Sequence, residues 1–330
     1  LAGGGIMFMV LGQMKTYSLI CIFTFLLSFI NEAFRPANST AIAFYSKEEN
    51  RTRSYSLNRL SINLGWAIGS AIGGVLASIN YHLLFWVDGL TNIIAAFLMW
   101  RFLKPVNYKP TKQSHHDNAN RKHSAYRDTN YLVFIVLVTL FASCFFQLFT
   151  NLSVYYKLTL GFTERFIGLL MAANGVLIVA IEMVLIYKLE GRRNNLFYIF
   201  IGISLIAFAY CMLNVFSVGH LIALALTVVI TFGEIMSMPF MNSYWIARAG
   251  SHNRGQYAAL YTMAWSAAQT FGPMSGAQIA EHAGFKTLWW CVGGLGFLTA
   301  LAFLQLNRRA ARNTITSEET VREEPIEFVQ

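Results

Sequence analysis

The chain has 330 residues, 55% of them hydrophobic and 12% charged, with a mean hydropathy of +0.47 and a formal net charge of +9. Soluble domains carry about 25% charged residues, so this composition excludes an ordinary soluble domain and implies an integral membrane protein. The basic residues fall in alternate loops between apolar spans, which is the positive-inside pattern and not a nucleic-acid footprint.

In chain order, residues 1–13 are apolar but shorter than the ~20 residues that cross a bilayer, and read as the end of a helix begun upstream. Nine complete candidate spans follow, at 17–45, 56–78, 83–103, 131–156, 164–187, 196–214, 219–246, 257–280 and 286–306. Loops and tail on one side hold twenty Lys and Arg residues, against only Lys15, Lys157, Arg165 and Lys286 on the other. The first set is therefore expected in the cytoplasm, together with the C-terminus. The longest polar break, 105–130, contains His115, His116 and His123 and reads as a solvated linker, with no metal site expected. Cys21, Cys144, Cys211 and Cys291 lie far apart within apolar spans and read as small core residues.

The second span carries Gly65, Gly69, Gly73 and Ala77 at i+4 steps. Small residues in one stripe let another helix backbone come close. Sliding the chain on itself by 203 residues lays this stripe on Ala268, Gly272, Gly276 and Ala280. The same offset lays Pro36 on Pro239, Arg51 on Arg254 and Trp86 on Trp289. It also places counterparts of the 131–156 and 164–187 spans before Leu1, so twelve helices are expected in a natural protein that begins some seventy or more residues upstream. The expected fold is an all-α polytopic membrane protein of two pseudo-symmetric six-helix bundles, the first incomplete here. Its parts are an N-terminal bundle over 1–104, a cytoplasmic linker over 105–130, a six-helix C-terminal bundle over 131–306 and a cytoplasmic tail over 307–330.

Ionisable groups within spans are costly and mark candidate sites. Glu32 and Arg35 lie three residues apart on one helix face, as a packing salt bridge or as a pair lining a cavity. Glu234 lies near the middle of its span, where a carboxylate must pair, protonate or face water. These three are the candidate ion-coupling residues; Ser237 and Asn242 could share a face with Glu234. Gln147, Asn151 and Tyr155 make a polar stripe at i+4 steps, which serves as interhelical glue or as a substrate face. Trp265 and Gln269 form a second, weaker pair, and Asn38 follows Arg35 by three residues. Glu182 lies near a cytoplasmic end, where a basic neighbour is the expected partner, and Asn174 is expected to bond another helix.

With these residues in hand, the chain resembles the major facilitator superfamily over essentially its whole length. Residues Gly65–Gly74 resemble the glycine-rich motif of that family's fifth helix, associated with antiporters and exporters, with Ser70 where a proline usually stands. The F-G-E-I-M-S-M-P stretch at 232–239, R-G-Q-Y at 254–257 and the pair Gly272-Pro273 resemble drug-efflux-like members. The K-L-E-G-R-R-N-N stretch at 188–195 resembles a degenerate second-half copy of the family's loop motif.

The resemblance implies alternating access between two bundles. It places Glu32, Arg35, Asn38, Gln147, Asn151, Tyr155, Glu234 and Asn242 on helices that line the central cavity, with Trp265 and Gln269 nearby. It also makes Gly65, Gly69, Gly73, Gly272, Pro273 and Gly276 packing and gating positions.

The expected function is proton-coupled export of a small amphipathic solute by a monomer in the plasma (inner) membrane, with protons, the solute and the lipid bilayer as partners and with no cofactor and no nucleic acid. Uptake of a nutrient (a sugar, organic acid or peptide) and a non-transporting sensor on the same fold stand as alternatives. No glycine-lysine phosphate cradle suggests ATP drive, and no histidine pairs with a membrane carboxylate as a lipid-modifying enzyme would need.

Overall fold

The computed structural model describes residues 1–45, 51–103, 124–189, 191–249 and 253–323. Ten α-helices make up nearly all of them: α1 (Ala2–Leu11), α2 (Tyr17–Tyr45), α3 (Arg51–Ile79), α4 (His82–Phe102), α5 (Thr129–Phe145), α6 (Asn151–Leu158), α7 (Glu164–Leu189), α8 (Asn195–Val215), α9 (His220–Arg248) and α10 (Arg254–Glu323). No strand occurs among the described residues. Apolar sequence in lipid leaves each backbone group only its own helix to bond, so helices are the expected solution. Among the described residues, eight segments are long and apolar enough to cross a membrane.

Three of the nine expected spans differ from their reading. The 131–156 span is not one helix but α5, a 3-10 turn over Phe146–Leu148, and α6. The last two spans run together as α10, broken at Gly284, whose φ of 82° and ψ of 161° put a kink between a first limb and a second. Glycine is needed there because a Cβ penalises positive φ.

The helices form two compact units, Leu1–His115 with Thr163–Val176, and His116–Phe162 with Leu177–Gln330. The early part of α7 thus packs with the first unit, a difference from the expected division at a 105–130 linker. Most of that linker lies outside the described residues, as do the three histidines in it.

In the first unit, α1 lies against α4. A Cβ on Gly5 would meet the Gly89 carbonyl at 2.6 Å, and one on Gly12 would meet Phe85 Cβ at 2.6 Å. His82 Nδ1 lies 3.0 Å from the Gly12 carbonyl oxygen. The early turns of α7 run along α3: a Cβ on Gly74 would meet the Glu164 carbonyl at 2.8 Å and Gly168 Cα at 2.9 Å, and one on Gly175 would meet Ala67 Cβ at 2.8 Å. Two side-chain bonds finish this seam, Arg165 Nε to Ser78 Oγ at 2.9 Å and Tyr81 Oη to Glu164 Oε1 at 3.2 Å.

The expected stripe lies off this seam. Added Cβ atoms on Gly65 and Gly69 meet nothing within 4 Å, and one on Gly73 meets only Leu84 Cδ2 at 3.7 Å. The close approach is made by Ala67 and Gly74, on the face about 100° further round the helix.

In the second unit, α8 is central and packs on α9 and α10. Gly202 and Gly233 bring α8 and α9 nearly into backbone contact, with a Cβ on either meeting the other's carbonyl at 2.5–2.6 Å. Hydroxyls on the spans bond back to their own helices: Thr227 to Ala223, Thr231 to Thr227, Ser237 to Gly233 and Thr299 to Leu295. That satisfies them where no water reaches. All four cysteines are free; Cys144 and Cys211 are buried as expected, but Cys21 and Cys291 are exposed.

Candidate functional site

The break between α5 and α6 interrupts the helical backbone of the second unit. Thr150, which separates the two segments, has φ of −116° and ψ of −90°. The first limb of α10 passes beside it with Gly272, Pro273 and Gly276. Glycines at 272 and 276 leave room for α5: a Cβ at 272 would meet Ser143 Cα at 2.8 Å, and one at 276 would strike Gln147 Oε1 and lie 2.6 Å from Asn151 Nδ2. Gln147 Nε2 donates to the Gly272 carbonyl at 2.7 Å and to the Ser143 carbonyl at 3.2 Å. Asn151 Nδ2 donates to Gln147 Oε1 at 2.6 Å and to the Pro273 carbonyl at 3.0 Å. The two amides therefore stitch the broken helix to the proline-bearing one.

In this structure the polar groups of the stripe are taken up between helices. Gln147 is 3% exposed and Asn151 7%, and their donors go to backbone carbonyls. Tyr155, also buried, packs its ring on Phe285 and Trp289 at 5.3 and 5.4 Å. All three side chains are packed between helices in this structure.

A second cluster lies between α5, α9 and α10. Trp265 is enclosed edge-to-face by Phe141, Phe145 and Phe146, with centroids 5.8–6.2 Å away, and Tyr261 stands one turn earlier at 6.2 Å. Its buried Nε1 has no hydrogen-bond partner. From α9, Trp245 reaches Tyr261 at 5.9 Å and donates through Nε1 to Asn242 Oδ1 at 3.1 Å. Glu234 and Asn242 lie two i+4 steps apart on α9, on one face with Trp245, and all three are half-buried. The structure thus brings Asn242 and Trp265 to one aromatic wall and sets Glu234 further along the helix that supplies it. Gln269, one turn past Trp265, is exposed. Ser237 leaves this face: its hydroxyl bonds the Gly233 carbonyl at 2.8 Å and its side chain packs against Gly202.

In the first unit, Glu32 is exposed, and the side chain of Arg35 lies outside the described residues. Asn38 Nδ2 donates to Asn58 Oδ1 at 3.4 Å, a weak tie between α2 and α3. Asn174 and Glu182 of α7 are both buried.

Sequence reasoning passed over one charged cluster altogether. Asp128 caps α5, its Oδ1 accepting from the Tyr131 backbone N–H at 3.1 Å. Arg248, at the end of α9, donates to both oxygens of the same carboxylate, at 2.5 and 2.7 Å. The Tyr257 hydroxyl donates to Oδ2 at 2.9 Å, and the Tyr131 hydroxyl to the Tyr257 carbonyl at 2.6 Å. Burial alone would raise the Asp128 carboxyl, but Arg248, the Tyr131 N–H and the Tyr257 hydroxyl outweigh it and hold the group below the usual carboxylate range. An Asp directly before an apolar run is an N-cap signal; Arg248 had counted only as a loop charge. Asp88, a carboxylate within α4, was also missed.

Comparison with known proteins follows this geometry. The family model described as Major Facilitator Superfamily matches residues 1–273. The chain is 24% identical over 248 residues to multidrug resistance protein 1 of Bacillus subtilis (strain 168), covering 74% of this chain and 62% of that protein. It is 22% identical over 247 residues to the MFS-type transporter YttB of the same organism, covering 73% of this chain and 60% of the relative. To a Na(+), Li(+), K(+)/H(+) antiporter of Planococcus maritimus it is 23% identical over 308 residues, covering 86% and 72%. The chain thus spans about three fifths of the length of the first two relatives. Among solved structures, a POT family transporter in complex with 5-aminolevulinic acid superposes with a TM-score of 0.73 at 15% identity, over 93% of this chain and 80% of that one. At that identity the likeness is one of fold.

Proposed function

The chain belongs to the Major Facilitator Superfamily, and we propose that it acts as a secondary active transporter that exports a small amphipathic solute in exchange for protons, by alternating access. The observation that carries this reading is the face of α9 on which half-buried Glu234 precedes Asn242 and Trp245, with Trp245 meeting Tyr261 beside Trp265. A carboxylate inside an apolar span is expensive and is kept where it pairs or carries charge. Aromatic rings next to it suit a solute with an apolar body and a polar end. The names of two relatives, a multidrug resistance protein and a cation/proton antiporter, support export and proton exchange. Glu32 and Arg35 stand as the second candidate coupling pair.

The basic loops support a plasma (inner) membrane location with the C-terminus in the cytoplasm. The protein is proposed to work as a monomer. In proteoliposomes loaded with ethidium as a fluorescent amphipathic probe, an imposed pH gradient is expected to drive ethidium against the proton flow. Glu234→Gln is expected to abolish the pH-driven component. Probe and protons moving in the same direction, or a variant with full pH-driven flux, would overturn the assignment.

A further inference from the structure

The second unit holds a group of buried polar atoms that neither the break nor the aromatic wall uses. Tyr156 of α6, Tyr210 of α8 and Trp289 in the second limb of α10 are each 0% exposed. The hydroxyl oxygens of both tyrosines and the indole Nε1 of the tryptophan have no hydrogen-bond partner. They belong to one aromatic cluster. The Tyr210 and Trp289 rings stack at 5.6 Å with planes 10° apart, and Trp289 also meets Tyr155, the neighbour of Tyr156, at 5.4 Å. Tyr210 lies within electrostatic reach of Tyr156. The thiol of Cys144 is directed to the Val292 carbonyl, at 3.6 Å.

We propose that the Tyr156 hydroxyl, the Tyr210 hydroxyl and the Trp289 indole N–H together bind one internal water molecule between α6, α8 and the second limb of α10. Three unpaired polar atoms in a dry cluster are each costly, and native interiors resolve such sets with ordered water that makes two to four bonds. The donor and acceptor balance suits this ligand. The indole can only donate, and each phenol can donate or accept. Water accepts from the indole and from one phenol and donates to the other. All three side chains are shut off from the surface, as the ligands of an internal water are. The water is thus a polar link that ties α6, the segment beyond the break, to α8 and to the second limb of α10.

The test uses the sign of two conservative changes. Tyr156→Phe and Tyr210→Phe each remove a single oxygen. If the hydroxyls share a water, each variant lowers the Tm of the detergent-solubilised chain by about 2–4 °C, and the double variant loses less than the two together. If the hydroxyls are merely unpaired, removing one leaves Tm unchanged or raises it, and the proposal fails. Losses that simply add overturn a shared site in favour of separate ones. Should a variant not fold, X-ray hydroxyl-radical labelling of the unaltered chain in 18O water decides. A trapped water labels Tyr156 and Tyr210 despite their burial, and two unlabelled tyrosines overturn the site.

Discussion

Asp128 and Arg248 meet as a two-bond fork, with Nε 2.5 Å from Oδ2 and Nη2 2.7 Å from Oδ1. The fork joins the start of α5 to the end of α9, and Tyr257 adds the start of α10. A planar guanidinium makes both bonds at once, whereas an ammonium makes one. The pair is partly exposed, at 33% and 17% for the two side chains, so its worth is about 1 kcal/mol. Arg248→Lys is expected to lose part of that and Asp128→Ala all of it, measured by thermal unfolding in detergent.

The same carboxylate sets an acid limit. Its ionised form is favoured in the folded protein, so its stabilisation is present above the unfolded value of about 3.9 and is lost as pH falls through the lower folded value. The contribution of Asp128, taken as the difference in Tm between the chain and Asp128→Asn, is expected to stay constant from pH 8 to pH 5 and to shrink below about pH 4. A difference that shrinks near neutral pH would mean that the fork does not hold the carboxylate ionised.

Gln147 and Asn151 bond the carbonyls of Gly272 and Pro273. Gln147→Leu removes one link and leaves Asn151 with fewer acceptors, at a cost of about 1–2 kcal/mol. Gly276→Ala places a methyl against both amides and is expected to cost at least as much. Both are read from thermal unfolding; a Gln147→Leu variant as stable as the parent would return these amides to the solute cavity.

Gly74 and Gly69 separate two faces of one helix. Gly74→Leu drives a side chain into the Glu164 carbonyl and Gly168, and is expected to cost about 1–3 kcal/mol. Gly69→Leu meets open space and is expected to stay within about 0.5 kcal/mol of the parent. Equal losses at the two positions would show that both faces pack.

Trp265→Phe removes an N–H that bonds nothing while keeping a ring among Phe141, Phe145 and Phe146. Its Tm is expected to match the parent closely, while ethidium flux in proteoliposomes falls if the indole N–H holds the solute. Unchanged flux would leave Trp265 as packing alone.

Much of this arrangement was legible in the chain itself, but unevenly. The apolar spans and their helical state follow from hydropathy, because lipid offers the backbone no other partner. Gly272 and Gly276 were recognisable as packing positions from their i+4 spacing, and the structure lays them against Ser143, Gln147 and Asn151. The same spacing pointed to Gly65 and Gly69 and missed Gly74, because a period shows which residues share a face and not which face meets a neighbour. The polar stripe at Gln147 and Asn151 had two readings for the same reason. Its donors were visible in the sequence, but the carbonyls that receive them lie more than 120 residues away.

Asp128, Arg248 and Tyr257 show the other limit. Each is ordinary at its own position, a cap, a loop cation and a helix-end aromatic, and only folding brings them within 3 Å. By itself, then, the sequence determined the membrane class, the helices and the family, since these depend on local hydropathy, spacing and short motifs. The tertiary structure alone decided which glycines touch, where the fifth helix breaks into the sixth, and which polar groups find partners. Those outcomes depend on the close approach of distant backbones, which no local pattern encodes.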